Sequence, residues 1–189
     1  NPQILFNRVA PWGKLFKKSV FGELRFVTGV WYEDMRLVPK LYLNAKKITY
    51  IDDSLFFYVQ RQGSTMNNKN AARNLEIISA FEDLISYYME NGVYERFREE
   101  LNYLITEHIA VAAVTRVVLS NSKDKKTVLA KLQDYLSTFD GLYDNKYMDM
   151  LVECLEKKNQ ILDSLAVVNK KQTKLIQDED FSLAEFDKC

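Results

Sequence analysis

The spacing of apolar residues changes character once along this chain, near residue 68. Before that point the pattern is mixed. In PWGKLFKKSVFGELRF (11–26) apolar anchors alternate with Lys14, Lys17, Lys18 and Arg25, as on the solvated face of a helix. After Gly29, the segment VWYEDMRLVPKLYLNA carries Met35, Leu37, Val38, Leu41, Tyr42 and Ala45 at roughly helical spacing. It predicts a helix starting between Tyr32 and Asp34, with Pro39 near enough to that start to cost little or to kink it. KITYI (47–51) and LFFYVQ (55–60) are rich in β-branched and aromatic residues and flank Asp52, Asp53 and Ser54. They predict two short strands joined by a turn.

Beyond Asn67 the period is helical. Residues 71–90 place Leu75, Ile78, Phe81, Leu84, Ile85 and Tyr88 on one stripe, and Asn91-Gly92 supplies a stop. Residues 94–119 predict a longer helix with Phe97, Leu101, Leu104, Ile105, Ile109, Val111, Ala112 and Val118 inward. Its second half is apolar almost all round, which suits a central position. Further helices are expected over 125–137 and 144–168, separated by an Asp140-Gly141 turn. The pattern divides the chain into 1–68, a helical extension 69–168 and a polar tail 169–189. The fold class expected is α+β and predominantly helical, with one short strand pair.

Composition narrows the function classes. Lys plus Arg and Asp plus Glu number 26 each, so no global field draws a polyanion, and a nucleic-acid partner is disfavoured. The two cysteines, Cys154 and Cys189, make neither a disulfide framework nor a metal-ligand spacing, which points to a reducing, cytoplasmic setting. No apolar run approaches the roughly 20 residues that cross a bilayer. The opening NPQILFNRVAPW lacks the layout of a signal peptide, and its entry into apolar sequence without an initiator Met suggests a chain cut from something longer.

Of three Glu-Asp pairs, Glu82-Asp83 falls in a regular amphipathic helix and Glu179-Asp180 in the polar tail. Glu33-Asp34 alone follows a glycine and an aromatic pair, Trp31-Tyr32, at a loop-to-helix junction. Carboxylates there either complement the helix dipole or serve chemistry. Arg61, in VQRQGSTMN, is placed to meet phosphate oxygens or simply to leave a strand. Asp52-Asp53 reads as a turn rather than a metal pair, and His108, without partners at metal spacing, as a packing residue.

Taken in order, APWGKLFKKSVF, LRFVTGVWYEDMRL and AKKITYIDDSLFFYVQRQGSTMN resemble the second half of bacterial family-2 glycosyltransferases that build capsule and cell-surface polysaccharides. The match covers about a third of the chain. Gly13 stands where that family commonly has Asn, and Val59 where it often has Arg. The resemblance implies a partial nucleotide-diphospho-sugar transferase α/β segment without the N-terminal, nucleotide-binding half. It implies an inverting transfer from a nucleotide-sugar donor to a polysaccharide or glycolipid acceptor. Asp34 is the implied general base, with Glu33 orienting it or binding the acceptor. Trp31 and Tyr32 would stack on sugar or belong to the core, and Arg61 and Lys14 are the candidate cations for the leaving diphosphate. The complete enzyme would use Mn²⁺ or Mg²⁺, held by an Asp-x-Asp motif that has no counterpart here, so no cofactor is expected for this chain alone. It would work at the inner face of the cell membrane, as a peripheral protein. Without its first half the chain would be inactive, and an unpaired sheet edge would favour self-association. The rival expectation is a non-catalytic helical module that keeps a decayed transferase segment and docks a partner protein.

Overall fold

The computed structural model describes residues 1–57, 59, 70–153 and 155–157. Two compact units are distinguished, Asn1–Tyr147 and Met148–Cys189. In the second, the described residues 148–153 and 155–157 are helical.

The first unit is built from helices. A 3₁₀ turn, Pro2–Phe6, is capped by the Asn1 side chain. It is followed by the single turn α1 (Lys18–Phe21), α2 (Glu33–Asn44), a second 3₁₀ turn (Ala71–Leu75) and α3 (Glu76–Glu90). Then α4 (Tyr94–Ile105), a π-helical segment (Thr106–Ala113) and α5 (Val114–Leu119) run on without a break, and α6 is Lys125–Leu136. Helix α2 lies against α3, α3 against α4, and α6 against α5 and the second 3₁₀ turn. The core is made by Met35, Leu37, Val38 and Leu41 of α2, Ile77, Phe81, Leu84 and Tyr88 of α3, and Leu101, Leu104 and Ile105 of α4. Pro39 sits inside α2 without ending it. Its carbonyl accepts a hydrogen bond from the buried Tyr88 hydroxyl at 3.0 Å, which ties α2 to α3. Beside it, the buried Lys40 ammonium meets Asp83 Oδ2 at 2.7 Å and lies over the Tyr87 ring.

The strand pair and the α/β transferase segment are not found. Among the described residues there is no strand, and the fold is helical rather than α+β. Residues 47–57 are irregular, and Ile48, Tyr50, Ile51, Leu55, Phe56 and Phe57 are exposed. Strand propensity describes a side chain's fit to a pleated, half-buried surface, and it is realised only against a partner strand or a core. Within this row, Phe56 stacks on Trp12 with ring centroids 5.3 Å apart.

The long helix also departs from its predicted face. Phe97, Leu101, Leu104, Ile105 and Ile109 are buried as expected, but Ala113 and Val117 follow them inward while Val118 is half exposed. The π segment explains the change. Its i→i+5 hydrogen bonds hold more residues per turn, so the inward face slips by one residue, about 100° of helix rotation.

Candidate functional site

The helix at Glu33 starts without a side-chain cap. Tyr32, the residue before it, has φ +63°, the left-handed region that glycine enters freely and other residues enter at a cost of about 1–2 kcal/mol. Asp34, half-buried, accepts the Met35 N–H on Oδ1 at 2.8 Å. Its Oδ2 has no hydrogen bond among the described residues. Glu33 is exposed. Lys14 folds back so that its Nζ donates to the Ala10 carbonyl at 2.6 Å. Burial and the Arg8 charge pull the Lys14 ammonium below its ordinary value, and the Asp34 carboxylate partly offsets them. Lys14 and Asp34 therefore lie within electrostatic reach of each other, although their segments are separate in sequence. Arg61 lies outside the described residues.

Trp31 and Tyr32 are held by residues that the pattern of the sequence did not single out. Glu76, at the start of α3, accepts the Trp31 N–H at 2.6 Å on Oε2, and Arg73 Nε at 2.6 Å on Oε1. Arg73 also donates to the Gly29 carbonyl at 2.9 Å, and its guanidinium lies 5.0 Å from the Trp31 ring centroid. The hydrogen bond from Arg73, with help from the Trp31 N–H, holds the Glu76 carboxyl below its ordinary value despite partial burial. The Tyr32 hydroxyl donates to Asn74 Oδ1 at 3.1 Å and accepts from Arg116 Nη2 at 2.9 Å. Arg116 Nε donates to the same Asn74 oxygen at 3.1 Å, and its guanidinium stands 5.6 Å from the Tyr32 ring centroid. Burial raises the Tyr32 phenol above its ordinary value, against the Arg116 cation, which lowers it. Farther along α2, Arg36 donates to the Ser79 carbonyl at 3.0 Å and to the Ser79 hydroxyl.

Two sequence signals were available for these residues. Arg116 is the one charged residue in the apolar run 109–119, and Arg73 and Glu76 have the i,i+3 spacing of a helical ion pair. Their shared target, the junction at 29–36, is set by tertiary packing and leaves no local mark.

Among the described residues no three His, Cys, Asp or Glu side chains come together as a metal site. Asp52 and Asp53 are exposed beside a turn closed by Leu55 N–H on the Asp53 carbonyl. The described residues do not fit a divalent ion. His108 lies beside Phe81, ring centroids 6.4 Å apart, and burial pushes its imidazole down to about 4.

Two curated proteins of Streptococcus pneumoniae serotype 4 (strain ATCC BAA-334 / TIGR4) share sequence with this chain. Glycosyltransferase GlyG is 34% identical over 79 residues, 41% of this chain and 26% of its own length. Glycosyltransferase GlyA is 42% identical over 59 residues, 31% of this chain and 8% of its own length. Part of this chain is glycosyltransferase-related. The chain spans about a quarter of GlyG and less than a tenth of GlyA. No family model matches, and no solved structure matches. Among the described residues no helix is long and apolar enough to cross a membrane.

Proposed function

We propose that this chain is the acceptor-side, base-bearing segment of an inverting family-2 glycosyltransferase that acts on a polysaccharide or glycolipid acceptor at the membrane surface. The observation that carries the reading is the placement of Asp34 within a glycosyltransferase-related chain. The carboxylate is fixed through Oδ1 by the Met35 amide, and its second oxygen is left without a hydrogen bond among the described residues. In the reaction, the acceptor hydroxyl gives its proton to Asp34 as its oxygen bonds to the anomeric carbon of the donor sugar. The bond from that carbon to the diphosphate oxygen breaks, and the nucleoside diphosphate leaves with the electron pair. Glu33 orients the acceptor, and Lys14 lies within electrostatic reach of Asp34. Most of the rate in such a transfer comes from gripping the donor and stabilising its leaving group, so the segment alone is expected to be inactive.

The test is release of nucleoside diphosphate from UDP-, dTDP- and GDP-sugars by the longest native polypeptide carrying these residues. Loss of a positioned general base costs about 10²–10⁴-fold, so Asp34→Asn should reduce turnover by at least about 10²-fold without lowering the melting temperature. Turnover by D34N within twofold of the parent would sink the assignment. A second reading, a non-catalytic interaction module, is favoured by the exposed apolar row Ile48, Tyr50, Ile51, Leu55, Phe56 and Phe57. On that reading D34N retains the biological role, while substitutions in the row abolish it.

A further inference from the structure

The residue that precedes Glu33-Asp34 is strained, and what restrains it comes from far along the chain. Tyr32 is the one non-glycine with positive φ among the described residues. A conformation of that cost persists when the surroundings over-determine it. Its hydroxyl is gripped by Arg116, 84 residues away in sequence, and by Asn74, which is buried and anchored to the Ala71 carbonyl at 3.2 Å. Arg116 closes the triangle through Nε on Asn74 Oδ1, so two of its N–H groups fix two acceptors in one plane. No carboxylate pairs with Arg116 among the described residues, so this guanidinium is committed to the junction rather than to a surface ion pair. On the other side of Tyr32, the Trp31 amide and Gly29 carbonyl are held by Glu76 and Arg73.

The aim of Arg116 depends on the π segment. Arg116 precedes Val117, which is buried because the inward face has slipped by one residue across 106–113. An uninterrupted α-helix would turn that side chain about 100° away from Tyr32. Eight residues of i→i+5 bonding are an uncommon way to run a helix, and such segments are frequent at functional sites.

We propose that Arg116 is a positioning residue. Through Tyr32 and Asn74 it locks the backbone turn that presents Glu33 and Asp34, so the helical region beyond residue 69 is a built-in brace for the carboxylate pair. The role assigned to that pair rests on the function proposed above, whereas the brace itself does not.

The experiment has two arms. In the 189-residue chain, hydrogen exchange of the amides at 30–36 is compared for the parent, Arg116→Met, Arg116→Lys and Tyr32→Phe. Losing a hydrogen bond to a charged group should speed exchange there about tenfold in R116M, with the amides of α4 unchanged. R116K, which keeps a donor but not the fork, should recover part of the protection. Y32F, which removes only the oxygen, should match R116M even if R116M proves poorly folded. In the polypeptide whose sugar-nucleotide turnover is measured for D34N, R116M should lower kcat about tenfold with KM within twofold. Unchanged exchange at 30–36 in both R116M and Y32F would overturn the brace. Loosened exchange with unchanged kcat, where D34N is inactive, would overturn its positioning role. If D34N itself retains full turnover, the proposed chemistry falls while the exchange result still decides the brace.

Discussion

Glu76 offers the sharpest test of how the junction before α2 is held. Its carboxylate accepts three hydrogen bonds, from Arg73 Nε at 2.6 Å, Arg73 Nη2 at 3.2 Å and the Trp31 amide at 2.6 Å. Glutamine at this position keeps one oxygen but turns an amide group toward donors that need an acceptor. A hydrogen bond to a charged group contributes about 1.5–3 kcal/mol when sheltered. The Glu76 side chain retains 28% of its exposure, so screening reduces that figure, and Glu76→Gln should cost about 1 kcal/mol at pH 7. For a chain of this size the loss corresponds to about 2–4 °C in Tm. The pH dependence follows from the direction of the shift. The folded-state carboxyl lies below its ordinary value of 4.5, so the folded state gains stability from Glu76 above that value. The gain is lost as pH falls through the lower, folded-state value. Below it the parent carries a neutral carboxyl too, and the gap between parent and E76Q should close. Thermal melts of both proteins at pH 7 and in steps down to about pH 3 make the comparison. Equal melting at pH 7, or a gap that persists undiminished in acid, would refute the reasoning.

Other consequences are as direct. His108, pushed down to about 4 by burial and then by the Arg116 charge, should stay neutral through neutral and mildly acidic pH. Because unfolding frees it to bind a proton near its ordinary 6.5, the parent should lose stability between about 6.5 and 4, and His108→Gln should lose less. An NMR titration of the imidazole with a midpoint near 6.5 would contradict this. Leu101→Ala empties a fully buried position in α4 and should cost about 2–5 kcal/mol in urea unfolding. A cost under about 1 kcal/mol would mean that α4 is not central.

Much of the helical scaffold is legible in the sequence because it rests on local periodicity. The start of α2 at Glu33 and the run of helix from Tyr94 to Leu119 follow from apolar spacing. So does the stop at Asn91-Gly92, where Gly92 adopts φ +67°. The Glu33-Asp34 junction was legible as a place, because its carboxylates stand apart from the other acidic pairs in context. The expected strand pair does not form among the described residues, since β-branched and aromatic residues announce a preference that a partner must complete. Residues 47–57 remain irregular and largely exposed. The inward face beyond Ile109 departs from the expected one because a 3.6-residue period does not hold through a segment bonded i→i+5.

What the sequence determined by itself was therefore the helical runs over 33–44, 76–90, 94–119 and 125–136 and the carboxylate pair at the head of one of them, both products of interactions within a few residues. The tertiary structure decided the rest. It gave Tyr32 a left-handed backbone, rotated α5 by a one-residue slip, and brought Arg73, Asn74, Glu76 and Arg116 onto the junction at 29–36. Those partners lie 42 to 84 residues from the residues they hold. Side-chain hydrogen bonds over that separation exist only after the core has fixed the helices against one another, so no local window of sequence carries them.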